Sequence, residues 1–99
     1  MEKMKSVSTK IFLDNVVNLN EFLENKWSIK VAKDFLEILD KKMNLVINHP
    51  FIGSPSKFGS RRIVVTKHNK LYYRIKGNKV VFLQLFDTRQ QPSKKNTNN

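Results

Sequence analysis

The sequence predicts an α+β fold, in which an N-terminal helical hairpin packs on a three- to four-stranded antiparallel sheet. Three observations predict it. The apolar period is helical through the first half and changes to two after a loop at 50–59 marked by Pro50, Gly53, Pro55 and Gly59. Gly77-Asn78 separates two β-rich runs, as the turn of a hairpin does. Charge divides along the same line. Residues 1–40 carry six basic and seven acidic side chains, whereas residues 41–99 carry thirteen basic and one acidic.

Taken in order, residues 4–8 suit a short first strand, and Ser8 and Thr9 are both candidates to cap the helix that follows. Phe12, Val16, Leu19, Phe22 and Leu23 recur at helical spacing, with Asp14, Glu21, Glu24 and Lys26 between them. This is an amphipathic helix of about five turns. Trp27-Ser28 reads as the break, with Ser28 capping a second helix whose stripe runs from Ala32 through Phe35, Leu39 and Met43 to Ile47. That helix should end before Pro50, because the residue preceding a proline is pushed out of the helical region. A short connection makes the two helices an antiparallel hairpin. Beyond the loop, Ile63 and Val65 alternate with polar neighbours, and Leu71, Tyr73 and Ile75 alternate with Tyr72, Arg74 and Lys76. Residues 80–86 are nearly all apolar, which predicts a strand buried on both faces, central or covered. The helices would cover one sheet face, leaving Arg and Lys to project from the other. A single domain is expected over 1–92, with a disordered polar tail over 93–99.

Composition excludes several function classes. Ninety-nine residues make one small domain with a small core. The absence of cysteine excludes disulfides and thiolate metal sites, and fits a reducing cytoplasm. Two histidines are too few for a zinc site. No apolar run approaches the roughly 20 residues that span a bilayer, so no membrane partner is expected. No apolar segment follows the first five residues, so a signal peptide is not expected either. There is no glycine-rich phosphate loop and no Ser–His–Asp arrangement. No cofactor is implied.

The remaining chemistry is cationic. Residues 41–86 contain ten Lys or Arg and no acid, a surface suited to nucleic acid or to an acidic protein. Arg62 and Arg74 lie on strands that would hold them rigidly, and Tyr72 should face the same side as Arg74. A guanidinium beside an aromatic ring suits phosphate, carboxylate and stacked bases alike. Exposed strand cations also discourage edge-to-edge aggregation, and Lys57, Lys67, Lys76 and Lys79 suit that role. His68 falls in a turn, and His49 at a helix end where it would complement the dipole when protonated. Asp87, the one acid after residue 40, could pair with Arg89 or a strand arginine, or act as a general base.

The order of these pieces resembles the RelE/ParE superfamily of bacterial type II toxins, over roughly residues 5–92, and most closely its ParE-like branch. The markers are Trp27 at the helix junction, His49-Pro50-Phe51-Ile52-Gly53, Arg61-Arg62-Ile63-Val64-Val65, residues 67–75, and the closing Phe86-Asp87-Thr88-Arg89-Gln90-Gln91-Pro92. The resemblance implies two helices on a twisted antiparallel sheet and a cognate antitoxin, acidic where it binds. It implies one of two targets. RelE-like toxins cleave mRNA in the ribosome, whereas ParE-like toxins block DNA gyrase and are not nucleases. Arg62, Lys70, Arg74 and Arg89 match places where the ribonuclease branch carries its cations. That branch commonly adds a C-terminal Tyr or His, yet no Tyr or His follows Tyr73. The departure favours a binding toxin whose antitoxin or target meets Arg61, Arg62, Tyr72, Arg74, Asp87 and Arg89.

Overall fold

Thr9 ends the first strand and begins the first helix. Its hydroxyl accepts the Phe12 N–H at 3.0 Å, which caps the helix, and donates to the Leu83 carbonyl at 3.1 Å. In a computed structural model, which describes residues 4–90, the elements are β1 (Lys5–Ser8), α1 (Lys10–Lys26), α2 (Ile29–Asn48), β2 (Ser54–Pro55), β3 (Arg61–Thr66), β4 (Asn69–Lys76) and β5 (Lys79–Asp87). Single 3-10 turns occupy Lys57–Gly59 and Thr88–Gln90. Residues 91–99, which include the expected tail and the last two residues of the closing motif, lie outside the described residues.

The hairpin turns where expected. The Trp27 N–H closes α1 on the Leu23 carbonyl, and the Ser28 hydroxyl caps α2 through the Val31 N–H at 3.1 Å. His49 closes α2 on Leu45, ahead of Pro50. The two helices cover one face of the sheet. Phe12, Leu19 and Leu23 from α1 and Phe35, Leu39 and Val46 from α2 are buried against Leu71, Tyr73, Val80 and Phe82.

The sheet differs from expectation in strand number and direction. It has five strands in the order β1-β5-β4-β3-β2, and β1 runs parallel to β5 while the other pairs are antiparallel. β1, expected over residues 4–8, and the one additional strand, β2, form the two edges and are short, four and two residues, and mostly exposed. They carry too little apolar alternation to announce a partner. Pro55 in β2 suits an edge, where no ladder N–H is needed. Beyond the end of β1 the free edge of β5 is satisfied by side chains of the first helix and its cap. Thr9 takes the Leu83 carbonyl, and Asn15 Oδ1 accepts the Leu85 N–H at 3.0 Å.

β5 is central, but only one of its faces is buried. Tyr72 lies opposite Gln84 and Tyr73 opposite Phe82, so Leu83 is an extra residue on β5. This bulge shifts the alternation. Val80 and Phe82 point to the helices before it, and Leu85 and Asp87 after it, while Val81, Leu83 and Phe86 are half-buried and Gln84 is exposed. A one-sided strand with a mid-strand bulge therefore reads as a continuous apolar run. No helix among the described residues is long and apolar enough to cross a membrane.

Tyr73 ties the loop after α2 to the core. Its hydroxyl donates to the Pro50 carbonyl at 2.7 Å and accepts the Gly53 N–H at 2.9 Å. Gly53 must be a glycine for this approach, since a Cβ there would stand 2.6 Å from the Tyr73 hydroxyl and 2.8 Å from the Arg62 carbonyl. Gly53→Ala should therefore lower the unfolding free energy by about 1–3 kcal/mol, the usual cost of overpacking, as read by urea denaturation. A midpoint equal to wild type would contradict this packing.

Candidate functional site

β3 and β4 divide their cations by alternation. Arg62 pairs in register with Tyr72, and Val64 with Lys70, so these side chains share the outer face, away from the helices. Arg74, two residues beyond Tyr72, joins them. Arg62, Tyr72 and Arg74 line an open depression of about 670 Å3, closed at one rim by Lys57 and Phe58 and at the other by Leu83 and Gln84. The Arg74 Nη2 donates to the Phe58 carbonyl at 2.6 Å, so this guanidinium also fastens the rim. Lys70 is exposed on the same face, outside the depression.

Arg61 points the other way. Its Nη1 donates to the carbonyls of Gly53 (2.7 Å) and Phe51 (3.3 Å), and its guanidinium lies 5.0 Å from the centre of the Phe51 ring. These contacts brace the loop after α2.

Asp87 and Arg89 lie at the helix-side end of β5, apart from the outer-face cations. Asp87 is 5% exposed. Its Oδ1 accepts the Arg89 backbone N–H at 2.8 Å, and its Oδ2 accepts Arg89 Nη2 at 3.0 Å and the Asn69 side-chain amide. Asn69, equally buried, accepts the N–H and hydroxyl of Thr66, and the Thr66 hydroxyl in turn accepts the His68 N–H. The His68 carbonyl accepts the Thr88 N–H at 2.9 Å. Arg89 then stacks 5.4 Å over Trp27, which meets Phe22 edge-on. The closing motif is thus a latch joining the end of β5, the β3–β4 turn and the helical elbow. Of the two partners open to Asp87 in the sequence, Arg89 is the one it takes.

The depression can hold an anion against two guanidinium groups and a phenol. Among the described residues, no histidine and no carboxylate lines it. His49 is exposed at the end of α2 and His68 sits in the β3–β4 turn. Among the described residues, no three His, Cys, Asp or Glu side chains come together as a metal site would require. Sequence reasoning passed over Phe58. The available signal was an aromatic residue set among Pro55, Ser56, Gly59 and Ser60, in a loop that needs no apolar side chain.

Comparison with known proteins follows the same lines. The family model described as the ParE toxin of type II toxin-antitoxin system, parDE, matches residues 8–92. No curated protein sequence matches the chain. Among solved structures, the chromosomal ParDE TA system from P. aeruginosa superposes with a TM-score of 0.75 at 12% identity, over 86% of this chain and 96% of that one. A YoeB/ParE toxin from Agrobacterium tumefaciens superposes at 0.64 with 20% identity, over 85% and 98%. The E. coli DinJ-YafQ toxin-antitoxin complex gives 0.63 at 13% identity, over 89% and 96%. At these identities the likeness is one of fold.

The latch and the depression should separate by stability. Asp87→Ala leaves Arg89 and Asn69 without their acceptor and should cost about 2–3 kcal/mol. Arg62→Ala, at an exposed position, should change stability by less than about 0.5 kcal/mol. Denaturant unfolding of both variants checks the pair, and equal losses would contradict the assignment.

Proposed function

The chain belongs to the ParE toxin family of type II toxin–antitoxin systems, and we propose that it arrests growth by binding DNA gyrase and is neutralised by an acidic segment of a cognate antitoxin. The observation that carries this reading is the composition of the outer-face depression. It presents Arg62, Arg74 and Tyr72, and no carboxylate or imidazole among the described residues lines it. RNA cleavage by a 2′-hydroxyl needs groups that activate the nucleophile and protonate the leaving group, as well as charge to stabilise the phosphorane. The depression supplies the charge, and for proton transfer it offers the Tyr72 phenol and the Lys57 amine but, among the described residues, no imidazole or carboxylate to serve as a base. Arg89, which the resemblance matches to the arginine that the ribonuclease branch carries near the end of its last strand, is committed to Asp87 and Trp27 on the helix side.

Charge supports the antitoxin half of the reading. A chain of net charge +11, whose acids are concentrated before residue 41, offers a basic surface to an acidic partner. One of its structural matches is itself a toxin–antitoxin complex. The second reading is a ribosome-dependent mRNA endonuclease acting through Arg62, Lys70, Arg74 and Arg89. It is favoured by Arg62, Lys70 and Arg74 sharing one face with Tyr72.

Supercoiling by purified gyrase separates the two readings. Wild-type toxin should inhibit it in a dose-dependent way, and the double change Arg62→Ala, Arg74→Ala should weaken inhibition by about tenfold or more. Normal supercoiling at saturating toxin, with cuts inside the ribosomal A site of translated mRNA by primer extension, would establish the nuclease instead.

A further inference from the structure

Phe58 stands where neither packing nor backbone conformation accounts for a phenylalanine. Its side chain is 89% exposed. Its backbone is left-handed, with φ 57° and ψ 38°, and Gly59 follows at φ 74°. A bulky side chain at positive φ is strained, and glycine would take the same conformation freely. Strain of this kind persists only where the surroundings impose it. They do so here. The Ser56 N–H donates to the Ser60 carbonyl at 2.8 Å, the Ser60 hydroxyl donates to the Lys57 carbonyl at 2.7 Å, and Arg74 holds the Phe58 carbonyl. The loop therefore holds an aromatic ring out from the rim of the basic depression.

We propose that Phe58 is an anchor residue, inserting into an apolar pocket on the toxin's protein target while Lys57, Arg62 and Arg74 meet acidic groups around that pocket. The inference rests on the reading that the chain acts by binding a protein. Aromatic and arginine side chains grouped at the centre of a contact carry most of the energy of protein interfaces. The surface beside the ring is also protein-like. Val64 is exposed, and Val81 and Leu83 are half-buried, on the same outer face. Apolar surface of this kind, set among the cations of the outer face, suits a protein partner better than a track for phosphates. Arg74 is moreover already engaged by the loop, which leaves Arg62 and Lys57 as its freer charges.

The test is growth arrest on expression of the full chain, read beside thermal unfolding of the purified variants. Phe58→Gly should keep or raise Tm, because it removes the strain, and should lose arrest. Phe58→Leu should retain arrest, because an aliphatic side chain still fills an apolar pocket. Arrest by Phe58→Gly at wild-type strength would overturn the inference, as would a lower Tm, which would give the ring a role in the fold. Failure of Phe58→Leu would also overturn it, and rescue by Phe58→Trp in that case would assign the ring to stacking on a nucleic-acid base. Wild-type toxin that arrests growth yet leaves gyrase unaffected would remove gyrase as the target without touching the role of Phe58, since arrest reads any target.

Discussion

A single phenol joins the core of this domain to the loop that frames its outer face, and the placement of the cations depends on it. Tyr73 is fully buried, with its ring against Phe82. A buried hydroxyl needs partners, as does a buried backbone N–H. The Tyr73 hydroxyl and the Gly53 N–H satisfy each other, and the hydroxyl reaches on to Pro50. Arg61 then takes the Gly53 carbonyl from the other side. With the loop fixed at both ends, Ser54 and Pro55 pair with Arg62 and Arg61. The following 3-10 turn comes to rest against Arg74. The rim of the depression is built outward from a core tyrosine.

The alternation of strand side chains sorts adjacent arginines into different work. Arg61 and Arg62 are neighbours in sequence, yet one braces a loop and the other faces solvent across the outer face. At the far end of the sheet, Asp87 and Arg89 form the only ion pair among the described residues in which one partner is buried, at 2% and 23% side-chain exposure. Additional hydrogen bonds to the carboxylate make such a pair tolerable, because desolvation otherwise outweighs the Coulomb attraction. The helix pairs Lys10–Asp14 and Lys30–Asp34 are well exposed, and such pairs contribute about 0.3–0.5 kcal/mol each. They belong to a solvated helical surface, while the outer sheet face carries charge without acids to neutralise it.

Much of this was legible in the residues. The helical stripes, the caps at Thr9 and Ser28, the hairpin at Gly77-Asn78 and the shared face of Tyr72 and Arg74 all follow from period and turn chemistry. What escaped has specific causes. A four-residue strand such as β1 has no pattern that names a parallel partner more than 70 residues away. The bulge at Leu83 imitates a strand buried on both faces, because it places apolar residues of two alternations end to end. The position of Arg89 depends on a 3-10 turn after β5, which spans three residues and has no periodicity to read. Phe58 was hidden by its composition. An apolar residue in a polar loop looks incidental until its left-handed backbone and its exposure are seen together.

We propose that this toxin engages its target with the outer sheet face, framed by the loop at 56–60. Amide hydrogen exchange of the toxin alone and bound to purified gyrase tests it most directly. Binding through this face should add protection at residues 56–60 and along the outer-face edge of β3, with the outer surfaces of α1 and α2 unchanged. Protection of the helical hairpin, with residues 56–60 exchanging as in the free toxin, would contradict it.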